Sequence, residues 1–289
     1  MSVLDKIANG AREWRDIIED RPLVVSVSGG KDSTAMALWL IEQGLQDRCH
    51  WVFADTKWEH PSLYKYIEYL EKIIGPIDRA VSSKFPGGIP DLARKKGFFP
   101  GRMLRFCTTE LKVKPITEYL QQFDNPINCV GIRAQESRSR AALDMWDNGG
   151  PMQIDTWRPI IEWGVEDVIA IHNKHGVRPS ELYLREQYPA TRVGCYPCIY
   201  SRKNEIAAVA KNDPWRIDEI RQLEKEIGST FFHREAASAS GSDMAQIDEV
   251  VAWARTSHGG KQFQLLDIGQ PGCRMWGLCD IGASDDDER

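Results

Sequence analysis

The sequence predicts a doubly wound α/β fold with a mostly parallel sheet and a helical, cysteine-containing C-terminal region. Three observations carry this. An apolar, β-branched run, Leu23-Val24-Val25-Ser26-Val27, feeds a glycine pair and then the helix-like Ala35-Met36-Ala37-Leu38-Trp39-Leu40. Strand and helix patterns alternate through the first half, as parallel pairing with right-handed crossovers requires. Near residue 190 the strand signals fade and helix-like runs remain. In chain order, residues 5–19 predict a helix, 22–28 a strand, and 33–44 a helix closed by Gly44. Cys49-His50-Trp51-Val52-Phe53-Ala54 reads as a second strand, Ser62–Ile74 as a helix stopped by Gly75-Pro76, and 127–131 as a later short strand. Further helix-like runs lie at 203–211, 214–227 and 243–256, with a small-residue linker at 236–242. The expected organisation is a nucleotide-binding α/β domain over 1–190, a helical cysteine-bearing region over 191–283, and an acidic tail over 284–289. In a doubly wound sheet the ligand sits at the carboxyl ends of the strands.

Composition sets the outer bounds. The 289 residues are 42% hydrophobic and 27% charged, ordinary for a globular chain. No apolar run approaches the ~20 residues of a membrane span, and Met1-Ser2-Val3-Leu4-Asp5-Lys6 is not a signal peptide. A cytoplasmic protein without membrane contact is expected, its seven cysteines serving as core residues, ligands or reactive thiols rather than disulfides. The net charge of −5 argues against coating nucleic acid by bulk electrostatics. Locally the balance reverses: residues 94–114 hold Arg94, Lys95, Lys96, Arg102, Arg105, Lys112 and Lys114 against Glu110 alone, with Phe98, Phe99 and Phe106 interleaved. That segment reads either as a nucleic-acid surface on which bases stack or as a solvated loop anchored by its aromatics.

Three motifs carry chemistry. In Ser28-Gly29-Gly30-Lys31-Asp32-Ser33-Thr34, glycines let the backbone approach an anion, and the following helix N-terminus aims N–H groups and positive dipole at it. It is not a Walker A loop, which needs a glycine where Val25 stands and a hydroxyl where Asp32 stands. After the second strand comes Asp55-Thr56-Lys57-Trp58-Glu59-His60-Pro61. A carboxylate there suits a ribose hydroxyl or a phosphate-bound Mg²⁺, or simply turns the chain. The third motif, Gly131-Ile132-Arg133-Ala134-Gln135-Glu136-Ser137-Arg138-Ser139-Arg140, concentrates guanidinium and hydroxyl groups fit to clamp an oxyanion.

Taken together these motifs resemble the PP-loop ATP pyrophosphatase superfamily, with Lys57 where that superfamily usually has glycine. The third motif is similar to the Gly-x-Arg-x-x-(Glu/Gln)-Ser-x-x-Arg segment of the phosphoadenosine phosphosulfate (PAPS) reductase-like family. So is the block running from Trp157-Arg158-Pro159-Ile160 through Asp167-Val168 to Gly194-Cys195-Tyr196-Pro197-Cys198. The resemblance implies that an adenine nucleotide, ATP or PAPS, contacts Ser26, Ser28, Gly29, Gly30, Lys31, Asp32, Ser33, Asp55, Thr56, Gly131, Arg133, Glu136, Ser137 and Arg140. Lys31, Asp32, Asp55 and Arg133 would carry the chemistry, with Asp32 and Asp55 holding Mg²⁺. Cys107-Thr108-Thr109-Glu110-Leu111-Lys112-Val113-Lys114-Pro115 is similar to the iron–sulfur branch, with Thr108 in place of a second cysteine. That implies a 4Fe–4S cluster on Cys107, Cys195, Cys198 and Cys279, with Cys273 as runner-up for the fourth ligand. A tetrahedral Zn²⁺ on Cys195, Cys198, Cys273 and Cys279 is the alternative.

Two chemistries follow from the resemblance. One adenylates an acceptor oxygen with ATP, releases pyrophosphate and lets sulfur displace AMP, as DNA-phosphorothioation and tRNA-thiolation proteins do. It implies a nucleic-acid acceptor, a cysteine desulfurase as sulfur donor and a homodimer. The other reduces a sulfonucleotide, but the Glu-Cys-Gly-(Leu/Ile)-His ending of such reductases is replaced here by Gly277-Leu278-Cys279-Asp280. A non-catalytic nucleotide sensor would keep only the phosphate loop.

Overall fold

The computed structural model describes residues 13–148, 153–185, 190–232 and 246–256. The chain divides into two compact units, one of residues up to Gly88 with Thr108–Ser180, the other of Ile89–Cys107 with the chain from Glu181 onward.

The first unit is built on six strands: β1 Leu23–Ser26, β2 Cys49–Ala54, β3 Ile77–Ala80, β4 Ile127–Val130, β5 Trp146–Asp147 and β6 Thr156–Trp157. Their order is β3-β2-β1-β4-β6-β5. Every pairing is parallel except that of β5 with β6. The expected mostly parallel, doubly wound sheet is therefore present. Central β1 is buried on both faces, with Leu23, Val24 and Val25 fully enclosed, which is why it reads as a continuous apolar run rather than an alternating one. From β1 the chain winds outward through β2 and β3, then returns to place β4 on the other side of β1. The crevice between the carboxyl ends of β1 and β4 is the topological switch point, where doubly wound folds bind ligands.

Helix α1 spans Trp14–Ile18; residues 1–12 of the expected 5–19 helix lie outside the described part. Helix α2, Lys31–Glu42, begins two residues before the sequence expectation because Gly30 is its N-cap and Lys31 and Asp32 form its first turn. Its Ala35, Met36, Ala37, Leu38 and Leu40 are fully buried. Helix α3, Pro61–Ile74, buries Leu63, Ile67, Leu70 and Ile74, a helical spacing that lines one face. It starts at Pro61, whose missing N–H costs nothing there, and ends at Gly75 with φ 103°. Helices α4, Gly88–Lys96, and α5, Lys114–Leu120, follow, and α6, Val165–Lys174, packs against α2. The β5–β6 edge is held by indoles: Trp146 and Trp157 pair across the strands and stack at 5.0 Å, and Trp157 meets Trp14 at 5.5 Å and Trp39 at 5.7 Å.

In the second unit, helices α7 (Lys203–Asn212), α8 (Pro214–Ile227) and α9 (Ile247–Ala254) pack on one another through Ile206, Val209, Ile217, Ile220, Leu223, Ile247 and Val250. Buried Glu224 on α8 accepts from the backbone N–H groups of Phe231 and Ile247, both at 2.8 Å, and so fastens the start of α9. Residues 89–107 belong here physically: Arg94 donates twice to Glu226, at 2.7 and 3.0 Å, and buried Phe99 packs edge-on against Phe231 at 5.3 Å. The 236–242 linker and the 284–289 tail lie outside the described residues. Among those described, no helix is long and apolar enough to cross a membrane.

One buried group on α6 gives the fold a pH dependence. His172 is fully enclosed, with Nδ1 2.7 Å from the Val168 carbonyl, which only accepts, so Nδ1 carries the proton. Burial, partly offset by that carbonyl, holds its pKa below the ordinary 6.5. Below that value the unfolded chain binds the proton that the folded one refuses, so stability falls as pH drops. Urea unfolding between pH 7.5 and 5.5 is expected to show this loss in the wild type and a flatter profile in His172→Gln. Identical slopes would mean that His172 is not responsible.

Candidate functional site

The loop between β1 and α2 is folded by its own hydroxyls. Ser28 N–H donates to Ser33 Oγ at 3.1 Å, the two serine hydroxyls lie 3.0 Å apart, and Gly30 N–H donates to Ser28 Oγ at 3.3 Å. Ser33 Oγ donates to the Gly30 carbonyl at 3.0 Å. Gly29 has φ 70°, and a Cβ there would collide with Leu63 of α3, so both conformation and packing demand glycine. The first-turn N–H groups of α2 have no carbonyl one turn back within the helix, which leaves a ready anion site at the switch point. Ser26 lies outside this turn, as the last residue of β1, opposite Val52 and Val130.

Asp32 joins this loop to the end of β4. One carboxylate oxygen accepts from Lys31 Nζ at 3.0 Å, and the other takes the Arg133 Nε–H. All three side chains are largely enclosed, Arg133 most of all at 4% exposure. The Lys31 side chain is only 13% exposed, because it is the first helical residue and folds onto its neighbour's carboxylate. Burial, the largest single influence on Asp32, would raise its pKa, but Lys31 and Arg133 together outweigh it and hold the carboxyl below the usual range. Arg133 is fixed further by its Nη1 on Gln135 Oε1 at 3.2 Å and the Trp163 carbonyl at 3.4 Å. Gly131 permits this approach, since a Cβ there would lie 2.8 Å from Ser33 Cα and 3.0 Å from the Asp32 carbonyl.

Glu136 and Ser137 work locally. Glu136 accepts from the Arg133 backbone N–H at 2.9 Å and pairs with Arg140, while Ser137 Oγ accepts from Arg140 N–H at 3.2 Å and caps the turn Arg138–Ala141. The arginine-rich motif thus spends much of its hydrogen bonding on its own shape.

A second cluster forms after β2. Asp55, 3% exposed, accepts from Lys57 N–H at 2.9 Å, Lys57 Nζ at 2.6 Å and Tyr64 O–H at 2.9 Å. Thr56 donates to Glu59 at 2.6 Å, and Glu59 also accepts from Trp58 N–H at 3.0 Å and from Tyr64 at 3.2 Å. Burial first, then the Glu59 and Asp55 charges, raise the Tyr64 pKa and keep it a donor. Lys57 has φ 54°, so the backbone keeps the left-handed geometry that glycine favours although the residue is lysine. Glu59, Tyr64 and Gln135 take part although the sequence did not mark them as site residues; Glu59 and Gln135 stood within the quoted motifs, while Tyr64 lay in none of them.

The magnesium expectation for Asp32 and Asp55 does not fit these surroundings. In each, oxygens that the ion would use already accept from lysine or arginine, which supply the countercharge. The cysteines divide similarly. Cys129 is buried in β4, and Cys49 at the start of β2 is half-buried, its thiol pushed up to about 12 by burial. Cys107, Cys195 and Cys198 are half-buried in the second unit, but among the described residues no three His, Cys, Asp or Glu side chains converge as a metal site. Cys273 and Cys279 lie outside the described residues. The Cys195–Cys198 turn is pinned by other means: Tyr196 O–H donates to Asp213 at 2.5 Å, Arg185 reaches the same oxygen at 2.8 Å, and Cys198 N–H donates to Ser201 Oγ at 3.1 Å.

A hydroxyl-built glycine loop at the switch point of a doubly wound, mostly parallel sheet is the architecture of the nucleotide-binding α/β folds. Residues 22–201 match the phosphoadenosine phosphosulfate reductase domain, and the chain belongs to that family. An uncharacterised 37.8 kDa protein of Escherichia phage 186 is 33% identical over 84% of this chain and 91% of its own length. An uncharacterised protein of Methanocaldococcus jannaschii is 28% identical over 65% of this chain and 44% of its own. Similar solved structures include PAPS reductase from Candida auris in complex with phosphate, with 15% identity, TM-score 0.44 and coverage of 63% of this chain and 83% of that one. FMN adenylyltransferase of Candida glabrata with ATP shows 14% identity, TM-score 0.43 and coverage of 65% and 61%.

Two stability measurements test the clusters. Asp32→Asn leaves Lys31 and Arg133 enclosed without their carboxylate and is expected to cost about 3 kcal/mol at neutral pH. Because the folded carboxyl titrates below its unfolded value of 3.8, its contribution is present above that value and fades as pH falls. The gap between wild type and Asp32→Asn in denaturant unfolding should therefore narrow below pH 4, and a constant gap would refute the pairing. At position 57, both Lys57→Ala and Lys57→Gly lose the Asp55 ion pair, but only alanine keeps the left-handed strain. Glycine is expected to be the more stable by about 1 kcal/mol; equal stabilities would show the backbone there to be unstrained.

Proposed function

We propose that this chain is a PP-loop ATP pyrophosphatase that activates an acceptor oxygen by adenylation so that sulfur can replace it. The observation that supports this most is the Ser28–Ser33 loop: a glycine turn, the N-terminus of α2 and Lys31 gathered where a polyphosphate would lie. In the reaction the acceptor oxygen attacks the α-phosphorus of ATP, the bond to the bridging oxygen breaks, and pyrophosphate leaves with the electron pair. The positive N-terminus of α2 and the Lys31 ammonium would stabilise the charge that builds on that leaving group, an electrostatic contribution that a fixed dipole makes without reorganising. Arg133, held by Gln135 and the Trp163 carbonyl, would keep Asp32 in place when Lys31 turns to phosphate. The outer sulfur of a persulfide, carried by a donor such as a cysteine desulfurase, then attacks and displaces AMP; a second thiol cleaves the resulting sulfur–sulfur bond, leaving the sulfur on the acceptor and a disulfide between that thiol and the donor cysteine.

No step is assigned to magnesium or to a cluster. Iron with bound sulfide, lost in Cys195→Ser and Cys198→Ser, would support the 4Fe–4S expectation, and stoichiometric zinc would support its rival. The family's reductive chemistry is the second reading, favoured by the domain match itself, and products separate the two.

Purified protein incubated with ATP is expected to release pyrophosphate, and with PAPS to release no sulfite. Lys31→Ala should lower pyrophosphate release by about 10²–10³-fold, the usual effect of deleting one transition-state donor, with circular dichroism unchanged. Undiminished ATP turnover in that variant, or sulfite production by the wild type, would overturn the proposal.

A further inference from the structure

The second unit carries a surface that the nucleotide site leaves unused. From Arg94 to Arg105 the chain holds five cations, Arg94, Lys95, Lys96, Arg102 and Arg105, and no acidic residue, in a protein of net charge −5. Arg94 pairs with Glu226, and Lys95 with Asp91. The other three are set on aromatic rings. Lys96 Nζ lies 5.8 Å from the Phe106 ring centre, and the guanidinium carbons of Arg102 and Arg105 lie 5.9 and 5.1 Å from that of Tyr200. Phe98, 38% exposed, meets Phe106 edge-on at 5.3 Å. The loop between them has a defined shape: Gly101 and Leu104 exchange backbone hydrogen bonds at 3.2 Å, and Tyr200 O–H donates to the Arg102 carbonyl at 3.0 Å.

A guanidinium seated on a ring keeps its N–H edge directed outward for an anion, and the ring limits its freedom before any ligand arrives. Cations alternating with partly exposed rings suit a strand whose phosphates need neutralising and whose bases are free to stack. A duplex offers the phosphates but not the bases, which are already stacked inside it. A protein partner would be served by exposed Met103 and Leu104 but not by this charge.

We propose that Lys96, Phe98, Arg102, Arg105, Phe106 and Tyr200 form a binding surface for single-stranded nucleic acid. Naming that strand as the acceptor class rests on the adenylation reading; the binding itself does not.

Fluorescence anisotropy with the full-length protein, without ATP, tests it on a labelled 20-nucleotide single strand and on the corresponding duplex, from 50 to 300 mM KCl. The single strand is expected to bind about tenfold tighter than the duplex, with log Kd rising linearly in log salt. Arg102→Gln with Arg105→Gln should weaken binding at least about tenfold and reduce the salt slope by about 1.4, since each lost phosphate contact removes about 0.7. Phe98→Ala should weaken it about tenfold with the slope unchanged; thermal unfolding checks that both variants fold. Salt-independent binding, preference for the duplex, or wild-type affinity in both variants would overturn the proposal. So would variants that change only the sedimentation behaviour of the protein, which would make this face a contact between proteins. Lys31→Ala should bind the strand normally; if it also turns over ATP normally, the adenylation reading fails and the surface stands.

Discussion

The carboxylate of Asp32, enclosed between Lys31 and Arg133, is the interaction on which the site's arrangement depends. Its two cations come from opposite sides of the switch point, Lys31 from the start of α2 and Arg133 from the segment after β4. Neither positive charge would be tolerated so far from water without a countercharge, and a carboxylate shared by both is a compact solution. The arrangement also has a functional logic. On the adenylation proposal, an arriving polyphosphate would offer Lys31 a stronger partner, and Asp32 would keep Arg133 when Lys31 leaves. Asp32 would stay paired with Arg133 throughout the exchange, so binding would require little rearrangement beyond one lysine side chain. Gly131 belongs to the same constraint, because any side chain there would push the β4 end away from Ser33.

The parts of this plan legible in the sequence were those with strong local signals. Fully buried β1 could only be an apolar run, α3 carried a clean helical stripe between Pro61 and Gly75, and the paired glycines marked the loop. Strands with weak patterns escaped notice. β3 places Asp78 and Arg79 at exposed positions between Ile77 and Ala80, and β5 and β6 are two residues each, too short for periodicity to register. Their place in the sheet comes from tertiary contacts, chiefly the stack of Trp146 on Trp157. The same reason hid the membership of residues 89–107, which an ion pair and an aromatic contact with residues more than a hundred positions away assign to the second unit.

Within the candidate site the sequence located residues better than it assigned their tasks. Arginines after β4 suggested an oxyanion clamp, yet Arg133 is only 4% exposed and held on Asp32, and Arg140 is paired with Glu136. Residue type and spacing report which groups are near a ligand edge; they do not report which hydrogen bonds are already spent on the protein itself. That depends on distances between segments a hundred residues apart, which no local pattern encodes.

Position 57 shows how a departure from a family pattern is read physically. Where the pattern this loop resembles has glycine, the backbone here takes φ 54°, the geometry glycine favours, on a lysine. A left-handed lysine is retained against a cost of about 1 kcal/mol, and its contacts show the compensation: Nζ sits 2.6 Å from Asp55 and the backbone N–H caps the same carboxylate at 2.9 Å. Asp55 is nearly inaccessible and receives Tyr64 as well, so its charge is balanced from within the chain. Lys57 itself remains 45% exposed along its side chain. The lysine therefore does two things that glycine cannot, neutralising a buried carboxylate where a cation was expected and presenting an ammonium at the carboxyl edge of the sheet. A phosphate-bearing ligand at that edge would meet a positive group held in place by the aspartate.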